Sequence, residues 1–280
     1  MNLAVGFFDG VHQGHRRILA RADAALTFRT HPAKVFAPER APRLLMTVEQ
    51  RVAAVGSALR SHDAARVRLL DFTPEFAALS SADFADGLRR DYPDLETVFC
   101  GPDWTFGAGG KGNAAFLRAR GFQVGEVPFV EVKGAPVSST RVRKSLAAGD
   151  LADVTACLGC PWRVEGDVVS GKGLGRTWGV PTLNVRVSPE LVRPPSGAYV
   201  VQTAWGRAVA NWGLAPTLGE KAWREPTLEV HLLEQALRET PARLSVDFLA
   251  FLRPERTFPT LAALQRQIAE DVRRAREISF

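Results

Sequence analysis

The sequence predicts an α/β protein of two domains: a parallel sheet with flanking helices, then a small antiparallel β-barrel with a terminal helix. In the first half, short apolar segments alternate with helix-like segments, which is typical of a parallel sheet. After about residue 157 the segments become rich in Val, Leu and aromatic residues with turns between them, which is typical of a closed barrel. We therefore expect one domain over residues 1–157 and a second over 158–280.

The first domain is predicted to contain five short buried strands. They cover residues 3–7, 25–28, 67–72, 97–100 and 123–127. Capping-box patterns that begin at Thr47 and Ser80 predict two helix starts. The crossover between the first two strands is short, so we expect a tight turn near residues 21–23. The proline-rich loop over 29–46 is long, and loops of this length are usually functional or disordered.

The second domain is predicted to be built from antiparallel strands and one helix. The strands cover residues 162–170, 198–205, 208–212, 227–233 and 244–253. The helix follows them, with Leu261, Leu264, Ile268 and Val272 on a single apolar stripe. We interpret this stripe as packing surface.

The composition excludes several classes of protein. With 280 residues, 46% hydrophobic and 24% charged, the chain is composed like an ordinary globular protein. The net charge is +6, but the Lys and Arg residues do not cluster in a run. We therefore expect anionic small molecules as ligands and no nucleic-acid partner. No apolar run approaches the roughly 20 residues of a membrane span, so we expect a cytoplasmic protein without a membrane contact. Three cysteines argue against a disulfide scaffold.

Two histidines follow the first predicted strand, in the segment GFFDGVHQGH at residues 6–15. A strand, turn and helix in this order place His12 and His15 on one face of the first helical turn. Free backbone N–H groups and the positive end of the helix dipole make such a turn an anion site. Two imidazoles beside it suit a phosphate that gains charge during transfer. Surface histidines and a metal site are the alternatives, although no third metal ligand lies nearby in the sequence.

Three further segments of the first domain carry polar groups near predicted strand or helix ends. His31 ends the second strand, where a phosphate contact and a structural role are both open. The segment CGPDWTFG at 100–107 leads into a glycine-rich run, which suits either close backbone approach to a ligand or a flexible surface loop. The segment VSSTRVR at 137–143 suits either a second phosphate site or an ordinary N-cap with solvated arginines.

The second domain has three candidate features. The glycine-rich segment GKGLGR at 171–176 lacks the ending of a Walker loop but suits a backbone cradle for phosphates. Thr182 and Asn184 lie two apart on an extended segment and offer two neutral oxygens on one side, which suits Mg²⁺. Glu229 lies among apolar residues in a predicted strand, so it needs a partner or a purpose. A general base and a structural salt bridge are both open for it.

The motifs of the first half resemble those of one family, the bacterial bifunctional riboflavin kinase/FAD synthetases. FDGVH followed by HxGH resembles its nucleotidylyltransferase motif, and the segments at 100–107 and 137–143 resemble its next two motifs in order. The resemblance implies a Rossmann-like nucleotidylyltransferase domain, in which His12 and His15 stabilise charge on the phosphates without a covalent intermediate. It further implies that ATP and FMN contact Phe8, Asp9, Gly10, His31, Asp103, Ser139, Thr140 and Arg143.

The second half resembles the riboflavin kinase module of the same family. Its hallmark Pro-Thr-x-Asn stands at 181–184, and the likeness continues at 211–217, 229–231 and 253–258. The resemblance implies that Thr182 and Asn184 bind Mg²⁺ and that Glu229 is the catalytic base. It also implies that ATP and the flavin contact Gly171, Lys172, Gly173, Gly175, Arg176 and Arg253.

The resemblance as a whole implies a transferase that phosphorylates riboflavin to FMN and adenylylates FMN to FAD, with ATP as co-substrate in both steps. Two alternatives stay open at this point. One is a riboflavin kinase whose first domain has lost adenylylation and only binds nucleotide. The other is a non-enzymatic flavin- or nucleotide-binding regulatory protein.

Overall fold

A computed structural model describes residues 1–170, 181–214, 226–234 and 239–278 of the chain. By their internal contacts the residues form two compact units, Met1–Ser139 and Thr140–Phe280. The last two helices before the barrel therefore associate with the second unit. The domain boundary expected between residues 157 and 158 stays a prediction.

The first unit is built on a five-stranded sheet with strand order β3-β2-β1-β4-β5. Every neighbouring pair in this sheet is parallel. The strands are β1 Asn2–Val5, β2 Ala24–Phe28, β3 Val67–Leu70, β4 Thr97–Cys100 and β5 Gln123–Glu126, and a short hairpin of β6 Glu131–Val132 and β7 Ala135–Pro136 follows them. The parallel sheet expected from the alternating pattern is confirmed, with each strand within a few residues of its expected position.

Helices connect these strands and cover both faces of the sheet. They are α1 Gln13–Leu19, α2 Pro32–Phe36, α3 Val48–Ala58, α4 Pro74–Ala77, α5 Ser81–Asp91 and α6 Ala114–Ala119. Alternate residues of β1 enter opposite cores: Leu3 packs with the cluster that contains Leu88, whereas Ala4 packs with the one that contains Leu19. Both expected helix starts are confirmed as caps, and the one at Thr47 is a complete capping box with Gln50.

The short first crossover closes as expected. Helix α1 ends at Leu19, and the backbone N–H groups of Ala22 and Asp23 bond to Leu19 and to Asn2 of β1 at 2.9 and 2.8 Å. The proline-rich segment after β2 is not an irregular loop throughout, since it contains α2 and a 3₁₀ turn at Pro38–Arg40.

The second unit contains two helices, a closed barrel and a terminal helix. The barrel order among the described residues is β10-β11-β12-β9-β8-β13, closed by β13 against β10. The elements are α7 Ser139–Ala148, whose first residue belongs to the first unit, α8 Leu151–Leu158, β8 Trp162–Val169, β9 Leu183–Val187, β10 Gly197–Thr203, β11 Gly206–Leu214, β12 Pro226–Leu232, β13 Arg243–Pro254 and α9 Leu261–Glu277. The expected barrel is confirmed, and β9, which was expected only as an extended segment, is a sixth strand beyond the five that were expected.

Two sequence expectations for the second unit are corrected. The third barrel strand, β10, ends at Thr203, so Trp205 lies in the hairpin turn, where the Thr203 hydroxyl oxygen accepts its backbone N–H at 3.1 Å. The apolar stripe of α9 is not packing surface throughout, because Leu261 is 45% exposed. The C-terminal part of α9 packs against the barrel through Val272 and the fully buried Ala275.

Candidate active sites

The first candidate site lies where the strand order of the parallel sheet reverses. The chain moves from β1 outward to β3 on one side, then returns to β4 on the other side of β1. Ligands of open α/β sheets bind at this switch point, beyond the carboxyl ends of the two strands. The histidine segment follows β1 and the glycine-rich segment follows β4. Residues almost a hundred positions apart thus meet at one edge of the sheet.

The turn between β1 and α1 has an unusual backbone. Phe8, Gly10 and Val11 have positive φ angles of 55, 83 and 40°. For the branched Val11 this conformation is a genuine outlier, and such strain is held in place only when the surroundings over-determine it. Strained turns of this kind cluster at ligand sites.

His12 and His15 stack on each other beyond this turn. Their ring centroids are 3.6 Å apart with an interplanar angle of 17°. The spacing predicted that His12 lies inside the first helical turn, but it is the N-cap of α1. Its Nδ1 accepts the backbone N–H of His15 at 3.3 Å. His12 is 6% exposed. The pair therefore presents two imidazoles at the N-terminus of α1, a position that suits an anion.

Phe8 and Asp9 shape the histidine turn from the inside. The Phe8 ring meets His15 edge-on at 5.3 Å and is buried. The Asp9 carboxylate is 1% exposed, and both of its oxygens accept the backbone N–H of Leu45 at 3.0 Å. The backbone carbonyl of Asp9 accepts the Ser139 hydroxyl at 2.8 Å. These contacts tie the turn to the segment before α3 and to the start of α7.

His31 lies beyond the carboxyl end of the neighbouring strand β2. It is the N-cap of α2, where its Nδ1 accepts the backbone N–H of Ala33 at 3.1 Å. Its ring meets Phe7 edge-on at a centroid distance of 4.6 Å. Three histidines thus follow two adjacent strands of the sheet, on the edge that the switch point defines.

The glycine-rich segment after β4 is a loop whose conformation is fixed by specific contacts. Gly107 has a φ angle of 72°, and a Cβ there would lie 2.5 Å from the Ser81 hydroxyl, so this position requires glycine. Phe106 and Gly112 form an isolated antiparallel bridge across the loop. Asp103 is exposed, with one carboxylate oxygen 3.3 Å from where a Cβ on Gly101 would stand. The expected ligand position of Asp103 therefore lies on the surface beyond β4.

The three residues expected to hold phosphates at the start of α7 fall on both sides of the unit division. Ser139 belongs to the first unit, and Thr140 and Arg143 to the second. Their neighbour Arg141 makes a bidentate ion pair with the Asp153 carboxylate of α8, at 2.5 and 3.0 Å. Arg141 is thus a structural cation and is not one of the solvated arginines of the ordinary alternative, since its side chain is 20% exposed.

The second candidate site is a row of polar side chains on adjacent strands of the barrel. Glu229 on β12 is the cross-strand partner of Asn184 on β9 and of Asn211 on β11. Directly paired residues lie on the same face of a sheet. The next row, Val185, Leu228 and Trp212, is at most 2% exposed and fills the barrel. Because successive residues point to opposite faces, the polar row lies on the outside of the barrel.

The segment before β9 is fixed next to this row. The carbonyl of Pro181 lies 2.9 Å from Nδ1 of His231, which is two residues beyond Glu229 on β12. Thr182 follows directly and is half-buried. Asn184 therefore stands opposite Glu229 and Thr182 lies just before β9, while their role as metal ligands stays a prediction.

Burial raises the pKa of Glu229, and the negative charge of Glu255 raises it further. Glu255 follows β13, and one of its carboxylate oxygens lies 2.6 Å from the position that a Cβ on Gly213 would occupy. A glycine at 213 thus leaves room for this second carboxylate. A carboxylate with a raised pKa is a better proton acceptor, which suits a general base.

Arg253 is held by the terminal helix. Its Nε and Nη2 donate to the Asp271 carboxylate at 2.7 to 3.0 Å, and the two side chains are 12% and 3% exposed. A contact between Arg253 and a ligand stays a prediction. The other five residues expected at that site lie outside the described residues: Gly171, Lys172, Gly173, Gly175 and Arg176.

Three residues next to the candidate sites were missed by the sequence reasoning. Arg51 is fully buried beside Phe7 in the first unit, and Asn211 and Glu255 flank Glu229 in the second. The motif segments at 211–217 and 253–258 contain the last two, so the motifs indicated where to look. No local pattern distinguishes Arg51 from a surface arginine of an amphipathic helix.

Comparison with known proteins agrees with two catalytic units. A family model described as FAD synthetase matches residues 1–141, and one described as riboflavin kinase matches 158–279. A Pseudomonas fluorescens bifunctional riboflavin kinase/FMN adenylyltransferase is 36% identical, over 98% of this chain and 92% of that protein. The chain belongs to the bifunctional riboflavin kinase/FMN adenylyltransferase family. A member from Escherichia coli K12 is 33% identical over 98% of this chain and 91% of its own length.

The bifunctional family fold also matches a solved structure. A Streptococcus pneumoniae protein described as a macrolide-efflux protein has a TM-score of 0.83 and 26% identity, and covers 99% of this chain and 94% of its own. Among the described residues, no helix is long and apolar enough to cross a membrane.

Proposed function

We propose that the chain makes FMN from riboflavin at the polar row of the barrel and FAD from FMN at the switch-point edge of the parallel sheet. The observation that carries this proposal is that each unit holds its own reactive constellation, the Glu229 row in one and the stacked histidines in the other. Each constellation falls within the family model that names the corresponding activity. The substrates are riboflavin, FMN and ATP.

In the kinase step, Glu229 accepts the proton of the riboflavin 5′-hydroxyl as its oxygen attacks the γ-phosphorus of ATP. The bond from the γ-phosphorus to the β,γ-bridging oxygen breaks, and ADP leaves. The raised pKa of Glu229 supports the role of proton acceptor. Phosphoryl transfer needs positioning and charge neutralisation more than covalent chemistry, which agrees with so few reactive side chains.

The donor set beside Glu229 fits Mg²⁺. The Thr182 hydroxyl and the Asn184 amide offer two neutral oxygens, and Asn184 is the cross-strand partner of Glu229. Magnesium prefers oxygen ligands and is usually held by few protein groups together with ATP phosphates and water. When bound, the ion would neutralise charge on the transferring phosphate. Thr182 and Asn184 would hold it, while Glu229 stays available for the proton.

In the adenylylation step, a phosphate oxygen of FMN attacks the α-phosphorus of ATP. The bond to the bridging oxygen breaks and pyrophosphate leaves. His12 and His15 stabilise the charge that develops on the phosphate oxygens, since donors aimed at developing charge contribute the largest catalytic effect in many enzymes. The proposed ligand contacts in this unit are Phe8, Asp9, Gly10, His31, Asp103 and Ser139, and Thr140 and Arg143 follow in α7.

One incubation tests the whole proposal. Purified full-length protein is mixed with riboflavin, ATP and MgCl₂, and the flavins are separated by chromatography. We expect FMN early and FAD later, with release of pyrophosphate. Accumulation of FMN alone would support the kinase-only alternative, and unchanged riboflavin would support a binding protein. Replacing MgCl₂ by EDTA, and the Asn184→Ala variant at graded Mg²⁺ concentrations, test the proposed metal ligands.

A further inference from the structure

Arg51 is a buried cation in an electrostatically unfavourable place. It is fully buried, with 0% exposure, near the N-terminus of α3. The helix dipole is positive at this end, so a cation there is disfavoured. Removing a guanidinium from water also carries a large penalty unless the group is well bonded. A chain that keeps an arginine here needs the contacts that it makes.

Those contacts lie at the carboxyl end of β2. One guanidinium nitrogen, Nη2, donates to the backbone carbonyls of Phe28 and Arg29 at 2.5 and 3.2 Å. The guanidinium carbon lies 4.1 Å from the centroid of the Phe7 ring, within cation–π distance. Arg51 thus touches the backbone that leads to His31 and the side chain that follows β1.

Phe7 also contacts His31, one of the proposed phosphate ligands. The Phe7 ring that lies against Arg51 also meets the His31 ring edge-on at 4.6 Å. The Phe7 carbonyl accepts the Thr27 hydroxyl at 3.0 Å, which joins the ends of β1 and β2. Arg51 therefore restrains His31 from two directions, through the Phe28–Arg29 backbone and through Phe7.

The start of α3 is fixed firmly enough to serve as an anchor. The Thr47–Gln50 capping box closes with hydrogen bonds of 2.9 and 3.3 Å. Just before it, the backbone N–H of Leu45 donates to the buried Asp9 carboxylate in the histidine turn. The segment from Leu45 to Arg51 thus contacts the turn before His12 at one end and the backbone before His31 at the other.

We infer that Arg51 is a positioning residue for adenylylation, which sets His31 relative to His12 and His15. The inference rests on the proposed function, because it assumes that these histidines contact phosphates. An arginine suits the place better than a lysine, since its planar fork bonds carbonyls while its face stacks on an aromatic ring. Arg51 does not itself touch the reacting atoms.

The first test compares Arg51→Met and Arg51→Lys in the full-length protein. We expect Arg51→Met to lower kcat for FMN adenylylation about 30- to 100-fold, since a misplacement near 1 Å can lower a rate about 10²-fold. Arg51→Lys should recover part of that loss. Riboflavin kinase activity, measured on the same molecules, should stay within twofold of wild type. Leu88→Ala, which opens the core of the same unit, is the control for destabilisation alone.

The control distinguishes positioning from a role in stability. Leu88 is 3% exposed and packs in the core cluster of β1 and α5. Both variants should lower the melting temperature, but well below it only Arg51→Met should lower the adenylylation kcat. An Arg51→Met enzyme that stays within threefold of wild type would overturn the inference. So would equal kcat losses in Arg51→Met and Leu88→Ala.

A double-mutant cycle tests whether Arg51 acts through His31. In a His31→Ala background we expect Arg51→Met to cost less than threefold in kcat, because the residue that it positions is already gone. Full additivity of the two losses would overturn the inference while leaving the proposed function intact. A wild-type protein that phosphorylates riboflavin but makes no FAD would instead overturn the proposed adenylylation, and the inference with it.

Discussion

The two candidate sites are assembled in different ways. The histidine site of the first unit stands on turns that follow parallel strands, with positive φ angles at Phe8 and Val11. The Glu229 site of the second unit stands on the strands themselves, where the antiparallel register brings Asn184, Glu229 and Asn211 into one row. The first site depends on tertiary contacts that hold strained loops, whereas the second is fixed by ladder hydrogen bonds. The two sites should therefore fail independently and in different ways.

The largest expected effect is that of Glu229→Gln. Loss of a positioned base typically lowers a rate about 10²- to 10⁴-fold, so FMN formation should fall by this factor. FMN supplied directly should still be converted to FAD at nearly the wild-type rate. Steady-state assays of the two half-reactions on one preparation measure both. Glu165→Gln on β8 is the matched control. Kinase activity of Glu229→Gln within threefold of wild type would show that Glu229 is not the base.

The converse variants, His12→Ala and His15→Ala, should cripple adenylylation and spare the kinase. Removing one preorganised donor to a charged transition state costs about 10²- to 10³-fold in kcat. His62→Ala, at an exposed histidine of the same unit, should leave both activities unchanged. Pyrophosphate release with FMN and ATP is the readout. Normal adenylylation in either variant would mean that the stacked pair is not the catalytic group.

Variants of the Arg253–Asp271 ion pair distinguish a ligand-binding role of Arg253 from a purely structural one. Breaking a buried ion pair from one side costs about 3–5 kcal/mol, so Arg253→Gln and Asp271→Asn should lower the barrel's unfolding free energy to a similar degree. Because Asp271 bonds to Nε and Nη2 of Arg253, we expect similar changes in KM for riboflavin in both variants. Chemical denaturation and kinase kinetics test this. A KM increase confined to Arg253→Gln would show that the arginine contacts a ligand.

The smallest expected effect on chemistry comes from moving the start of a kinase fragment. Residues 158–280 should fold and phosphorylate riboflavin, but residues 140–280 should be more stable, because α8 packs against β8 and β13. Leu151, Val154 and Cys157 of α8, which the shorter fragment lacks, are all buried. Since burying one large apolar side chain contributes about 1.5–3 kcal/mol, the shorter fragment should melt at least about 10 °C lower. Equal melting temperatures in calorimetry would favour the boundary at 157/158.

Local sequence patterns predicted most of the fold. The five parallel strands were predictable because each is a short apolar run between turn or helix signals, and the alternation with helices dictates a parallel sheet. The barrel was predictable from its Val-rich and aromatic segments. Strand β9 was expected only as an extended segment, although Leu183, Val185 and Val187 alternate with polar residues within it. The exposure of Leu261 was missed because a periodic stripe does not show how far the barrel beneath it extends.

The sequence by itself determined which residue types stand at the two candidate sites. His12, His15 and His31 follow strand ends in one unit, and Thr182, Asn184 and Glu229 lie in or next to barrel strands in the other. Motif spacing is local, so it survives in the linear order of the chain. Only the tertiary structure decided that Asp9 bonds Leu45, that Arg51 lies against Phe7, and that Glu255 raises the pKa of Glu229. These contacts join residues from about 26 to 44 positions apart, and their geometry depends on sheet order and barrel register. No local periodicity encodes such distances, because they arise only once the whole sheet or barrel has closed.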